Sequence, residues 1–451
     1  MAALSGEQLQ QAALKRRAIE AVIWGMPAVN FDLMREALLQ AMKGKDNQVV
    51  FYSRLPSWKN QTLTPNPDSI YIIPFYDTHD GPVVLEVPPA EGGTFVGSID
   101  DLWQVAIEDV GPAGFDKGKG GKYLILPPGF KGSVPEGYFP MPSQTYRGFA
   151  ILRSMLKSTE SNEVATAVAY GKRIKMYPLA QATNPPATQF LDAVDTVFDS
   201  TIKYDASFFT TLDRVIQSEP CLARDAALVD QLKTIGIVKG KPFQPDAQTR
   251  LLLNEAAREA HLWLDSQCEA LFKTTFFPGT HWAVPASPEL IKAISEGMND
   301  PNNYPVDARG TSYTMGFFSA KHLGAGQFYL MTIRDKNGNR FAGRNTYRLS
   351  VPPNAPVNQY WSATLYDRET HALIRDQKWS SRSSQSAGLQ RNPNGSVDLF
   401  FGPQAPAGKD TNWVPTNAER DFEVLFRLYG PEKSFFDKVW KLPDIELADN
   451  Q

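Results

Sequence analysis

Hydrophobic residues change their spacing three times along this chain. Near the start, Leu14, Ala18, Ala21 and Val22 recur at helical intervals behind Ser5 and Gln8, a pair with the i, i+3 form of a capping box. Gly25 and Pro27 interrupt the pattern, and Phe31, Met34, Leu38 and Ala41 resume it. Residues 1–45 are therefore expected to form a broken helix laid on a larger body.

From Val49 the apolar runs shorten and are punctuated by Pro, Gly and Asp. Tyr71 to Tyr76, Val83 to Val87, Thr94 to Ile107 and Tyr123 to Leu126 read as strands with tight connections. Helical spacing returns between Tyr146 and Met298, with Phe208, Leu212 and Ile216 on one face and a long Ala- and Leu-rich stretch from Asp246 to Phe272. Ser287 before Pro288 has the form of an N-cap followed by a first-turn proline. After Tyr304 strand signals resume, with Asn337-Gly338 between two strand runs placed as a hairpin turn and a second Asn-Gly, Asn394-Gly395, preceding the run Ser396 to Phe401. The expectation is a mixed, mainly β fold: an N-terminal helical segment (1–45), a β-sandwich (46–155), an inserted α-helical domain (156–303) and an antiparallel sandwich or jelly roll (304–451).

Charge removes several functions. With 46 Lys and Arg against 49 Asp and Glu, and no basic block longer than Lys15-Arg16-Arg17, the chain lacks the excess that neutralises phosphates, so no nucleic-acid partner is expected. No apolar stretch approaches the roughly 18 residues of a membrane helix, so no membrane partner is expected either. Residues Met1 to Gln11 lack the order of a signal peptide, which points to the cytoplasm; a periplasmic or secreted protein whose signal peptide had been removed would read the same way. The two cysteines, Cys221 and Cys268, exclude a disulfide framework and read as free thiols, although a single bridge between them is left open.

Several ordered motifs carry a family resemblance. Thr64-Pro65-Asn66-Pro67-Asp68-Ser69-Ile70-Tyr71 and Gly81-Pro82-Val83-Val84-Leu85-Glu86-Val87-Pro88 stand in the first β region. Tyr360-Trp361-Ser362-Ala363-Thr364-Leu365-Tyr366-Asp367, Asn394-Gly395-Ser396, Asn412-Trp413-Val414-Pro415 and Arg427-Leu428-Tyr429-Gly430-Pro431 stand in the second. Together they resemble the landmarks of the DUF1254/DUF1214 family. The resemblance implies an N-terminal β-sandwich, a helical middle, a C-terminal jelly roll and homo-oligomers, and it supplies no catalytic residue.

Candidate chemistry therefore comes from the residues. Asn66, Asp68 and Tyr71 surround two prolines at a strand entry, where Asp68 suits acid/base work or ligand anchoring; a purely structural Asx-type turn is the alternative. Asp100, Asp101, Glu108 and Asp109 fall within ten residues, and Asp101 shares a strand face with Trp103, whose indole would desolvate a carboxyl into a general acid; the alternative is solvated loop acids. Arg153, amid Phe149, Ile151, Leu152 and Met155, needs an anionic partner if buried, either an internal acid or a ligand carboxylate or phosphate. Trp361, Tyr366 and Arg427 offer a cleft lining for an oxygen-rich or aromatic molecule, or else sandwich core.

The five histidines form no HxH, HxxxH or HExxH spacing, so no metal or other cofactor is expected; His322, in a glycine-rich stretch, is the most site-like of them. The resulting expectation is a hydrolytic enzyme for a small polar or anionic organic molecule. Asp68 or Asp101 would serve as acid/base, Tyr71 or Tyr366 as oxyanion donor, and Arg153 as anion clamp, with Asn66, Trp103, Trp361 and Arg427 completing the binding set. A non-catalytic glycan-type binder or an oligomeric assembly protein is the alternative.

Overall fold

The computed structural model describes residues 5–300, 302–316, 320–322 and 326–448. Leu323, Gly324 and Ala325 of the glycine-rich stretch lie outside the described residues. The fold is mixed and mainly β, with two antiparallel-rich β units.

In the first unit a six-stranded sheet runs in the order Phe190–Asp192, Gln48–Phe51, Ile70–Asp77, Arg147–Ser154, Phe95–Asp101 and Ala106–Val110. A four-stranded sheet, Lys175–Pro178, Val83–Val87, Gly121–Leu126 and Tyr138–Pro142, packs against it. Strand alternation sends Phe95, Ile99, Leu152 and Val110 to meet Val83, Leu85, Tyr123 and Ile125 in the sandwich interior. The opposite face of the six-stranded sheet carries Tyr71, Ile73, Phe75, Phe149 and Ile151, and helix Gly6–Glu36 covers part of it, with Phe31 5.2 Å from Phe149 between ring centroids.

The second unit pairs Gln327–Thr332, Asp421–Pro431, Val357–Asp367 and Ser381–Ser383 in one sheet, with Phe341–Ala342 beside Asp421–Pro431. Its second sheet holds Trp413–Pro415, Val397–Gly402, Tyr347–Val351 and Glu446–Leu447. Leu349, Leu399, Phe401, Phe426 and Trp361 fill the space between them. Asn337-Gly338 forms the expected hairpin turn, bracketed by an Arg334–Arg340 bridge and closed by the Asp335 N–H donating to the Asn339 carbonyl at 2.8 Å, while Asn394-Gly395 forms a turn in which the Asn392 N–H donates to the Ser396 carbonyl at 2.8 Å; Gly338 and Gly395 take positive φ.

Local expectations differ from the structure at three places. The first helix is capped by Ser5 and Gln8 as read, but it passes through Gly25 and Pro27 without a break. Nearly every residue from Ala21 to Met34 is buried, so tertiary packing outweighs the proline penalty. Proline leaves the Ile23 carbonyl without its helical donor, and helix Val306–Met315 crosses there so closely that a Cβ on Gly310 would stand 2.7 Å from that oxygen. The run from Thr94 to Ile107 is two strands joined by a turn, with Gln104 at φ 58°. Finally, the stretch read as helical contains strands Lys175–Pro178, Phe190–Asp192 and Phe198–Asp199 between its helices. The first two complete the edges of the first sandwich, pairing Lys175 with Glu86 and Phe190 with Val49 across long stretches of chain, which leaves no local periodic signature.

Candidate functional site between the two β units

The outer face of the six-stranded sheet is only partly covered by the first helix. Val96 pairs with Arg153, and Ser98 pairs with both Ile151 and Asp109. Side chains alternate along strands, so Val96, Ser98, Ile151, Arg153 and Asp109 share the face away from the sandwich interior. They floor a cavity of about 680 Å³. Its other walls come from Val284, Pro285, Ile291 and His322, and from Gln327, Phe328 and Tyr329 of the second unit. Gly97 lets the floor strands approach, since a Cβ there would lie 2.0 Å from the Ile151 carbonyl oxygen. A smaller chamber of about 50 Å³ opens beyond Ile151, Arg153, Pro285 and Tyr329, which line both spaces; Tyr71 and Arg427 belong to the smaller one alone.

Arg153 stands at the junction. It is partly exposed, its guanidinium carbon lies 5.4 Å from the centroid of the Tyr71 ring, and its Nε is buried without a hydrogen-bond partner. Among the described residues no carboxylate comes within ion-pair distance of it. Burial works against the charge; the guanidinium stands well above its ordinary range through Tyr329, Tyr71 and Tyr429 as phenolates, a charge that phenols do not carry near neutral pH. The Tyr329 hydroxyl is also buried without a partner, and so is Gln327 Oε1. A cation and two polar atoms left unsatisfied around one cavity cost several kcal/mol unless solvent or a ligand completes them.

Across the floor, Asp109 gathers the segment that carries His322. Its carboxylate accepts Ser98 Oγ at 2.8 Å, the Lys321 N–H at 2.8 Å and the His322 N–H at 2.7 Å, while His322 Nδ1 lies 2.9 Å from Oδ2. A carboxylate only accepts, so the proton of that contact sits on Nδ1, and in the neutral ring the lone pair is then on Nε2. Glu108 beside it pairs with Lys321 at 2.8 Å. The acids Asp100, Asp101, Glu108 and Asp109 are all buried, so they are not solvated loop acids.

The remaining candidate residues are placed elsewhere. Asn66 forms the Asx turn, accepting the Asp68 N–H at 2.9 Å, and its amide nitrogen also faces Ser69 Oγ, Tyr429 Oη and Tyr360 Oη at 2.9, 2.7 and 3.2 Å. The motif is thus a clasp between the two β units. Arg427 donates to the Thr64 carbonyl and to Thr364 Oγ1, and the Tyr366 hydroxyl donates to the Pro65 carbonyl at 2.6 Å. Tyr71 accepts the Asn66 N–H at 2.8 Å. Asp68 accepts Ser381 Oγ at 3.0 Å. Burial pushes its carboxyl up, against Ser381, Arg427 and Arg382, and it lines neither cavity.

Asp101 accepts the Val105 N–H at 2.9 Å inside its own turn; burial raises it, with Arg224 and Arg309 opposing. Trp103 packs at a tilt of 41° against Trp24 with centroids 4.7 Å apart, and Trp361 stacks on Phe426 at 5.6 Å in the second core. The structure therefore brings Arg153 to the large cavity and Tyr71 and Arg427 to its inner chamber, while Asp68, Asp101, Asn66, Trp103, Trp361 and Tyr366 line neither. Tyr329 and Gln327 were not singled out by the sequence; an aromatic on a strand carries no sign of which cavity it faces.

The domain of unknown function DUF1254 matches residues 47–178 and the domain of unknown function DUF1214 matches residues 326–433. No curated protein matches the chain. The crystal structure of the VPA0106 protein from Vibrio parahaemolyticus is similar over 97% of this chain and 100% of its own, at 15% identity and a TM-score of 0.58, a likeness of fold. A putative uncharacterized protein from Burkholderia cenocepacia aligns over 98% of this chain and 95% of its own, at 12% identity and a TM-score of 0.38. Arg153 and Asp109 fall in the first matched domain and Tyr329 in the second, so the cavity is built from both halves of the pair, and the chain belongs to the family of DUF1254/DUF1214 domain-containing proteins.

Proposed function

We propose that this protein binds a small organic anion with an apolar body in the cavity between its β units. The observation that carries the reading is Arg153, a charged group at the junction of two cavities with no carboxylate partner among the described residues and a buried, unsatisfied Nε. A carboxylate suits it, because a guanidinium offers parallel donors to two oxygens. The Tyr329 hydroxyl, equally unsatisfied, supplies a further donor, while Val96, Ile151, Val284 and Phe328 suit hydrocarbon.

A thermal-shift series tests this. Wild type, Arg153→Lys and Arg153→Ala are compared with acetate, hexanoate, benzoate and inorganic phosphate, because a ligand that binds only the native state raises its melting temperature by mass action. Hexanoate or benzoate should stabilise the wild type more than acetate does, and Arg153→Ala should abolish the difference. Equal shifts in wild type and a folded Arg153→Ala, or no shift with any anion, would overturn the reading.

A further inference from the structure

We infer that the same cavity hydrolyses an ester of such an anion, with His322 as general base and Asp109 as its positioning residue; this rests on the anion-binding reading above. Asp109 occupies Nδ1 of His322 at 2.9 Å and fixes the backbone beneath it through two N–H groups, so both the tautomer and the ring position are set. Nε2 has no partner among the described residues, and the half-exposed imidazole lines the cavity that Arg153 also lines. The charged groups around the ring are Asp109, Glu108 with an oxygen 3.9 Å from Nδ1, and Lys321, which is paired with Glu108.

Register sets the scale. Arg153 lies opposite Val96 and Asp109 opposite Ser98, on strands either side of Phe95–Asp101. Two strand spacings and two residues along the strand separate their Cα atoms by about 12 Å on one face. A molecule whose carboxylate reaches Arg153 therefore extends its far end toward His322.

In the step itself, His322 Nε2 removes a proton from water as the water oxygen forms a bond to the acyl carbon. The bond from that carbon to the alkoxy oxygen then breaks, and the proton on Nε2 passes to the departing oxygen. An ester and water become a carboxylic acid and an alcohol, with no oxidant or further reactant.

The probes are the mono-4-nitrophenyl esters of succinic, glutaric, adipic and suberic acids, followed by nitrophenol release alongside thermal shifts with the free diacids. Wild-type turnover should peak at one chain length. His322→Gln should lower kcat about 100-fold with KM within about twofold, the scale of general-base catalysis. Asp109→Asn should lower kcat and change the acid limb of the pH profile, which a merely structural loss would leave in place for the folded fraction. Arg153→Ala should act mainly on KM. Diacid binding with no turnover above the buffer rate, or a folded His322→Gln with wild-type kcat, would overturn the hydrolytic step while leaving anion binding intact. Absence of both binding and turnover would overturn both readings.

Discussion

Replacing Arg153 with methionine should make the unliganded protein more stable while removing its ligand. A buried cation without a counter-ion costs several kcal/mol. Two features of the structure reduce that cost: the side chain keeps some exposure to the cavity, and it lies over the Tyr71 ring at 5.4 Å, a contact contributing about 1 kcal/mol. Methionine retains much of the apolar contact with Ile151 and Tyr71 and leaves no donor to satisfy, so the expected gain is about 1–2 kcal/mol. Melting temperature is a blunt readout here, since unfolding entropy scales with length and such a gain shifts a chain of 451 residues by only about 1–2 °C. Urea unfolding at neutral pH is sharper: the midpoint should rise at constant slope in the absence of anion. Saturating carboxylate should raise the wild-type midpoint and leave Arg153→Met unmoved. A variant destabilised by more than about 1 kcal/mol would refute the reasoning, because that is the signature of a guanidinium satisfied within the fold rather than held for a ligand.

Three further outcomes follow from the geometry. Asn66→Ala deprives Tyr360, Tyr429, Ser69 and the Asp68 N–H of a shared partner across the two β units, and should cost about 3 kcal/mol in urea unfolding; a loss below about 1 kcal/mol would show that the clasp is dispensable. Burial pushes Glu219 up to about 7, against the Tyr146 N–H, Arg147 and His79, with Asp77 adding to the rise. A carboxyl raised on folding stabilises fully below its unfolded value near 4.3 and loses that contribution as pH climbs through about 7. Glu219→Gln should thus flatten stability between those values and gain about 3 kcal/mol relative to wild type above pH 8, and parallel pH curves for the two proteins would count against it. Gly97→Ala forces a methyl against the Ile151 carbonyl and should cost more than about 3 kcal/mol, measured by urea unfolding, with near-native stability as the contrary result.

The sequence carried the architecture further than the site. Runs such as Val83 to Val87 and the Asn-Gly turns are local signals, and the structure forms them where they were read. Strands Lys175–Pro178 and Phe190–Asp192 owe their existence to edges offered by Val83–Val87 and Gln48–Phe51, so their own residues say little. The unbroken first helix is a similar case, since burial on nearly all sides holds Pro27 in a conformation its intrinsic preference opposes. Candidate acids were chosen by their neighbours in sequence, which favoured Asp101 beside Trp103; Asp109, in the same run, lines the cavity because its strand partner is Ser98.

Arg153 was the readable exception. A guanidinium amid Phe149, Ile151, Leu152 and Met155 requires a counter-charge if it is buried, and that requirement can be stated before any coordinate is known. The structure turns the requirement into a location. Asp109, on the same cavity floor, is held by Ser98, Lys321 and His322, and Asp68, one oxygen of which accepts from Ser381, lines neither cavity. Nor does a tyrosine hydroxyl supply a full negative charge at neutral pH, since burial drives Tyr329 and Tyr429 far from ionising. With no carboxylate in ion-pair distance of it among the described residues, a bound anion is the economical way to neutralise Arg153, and the two β units then have a chemical reason to meet at the cavity they share.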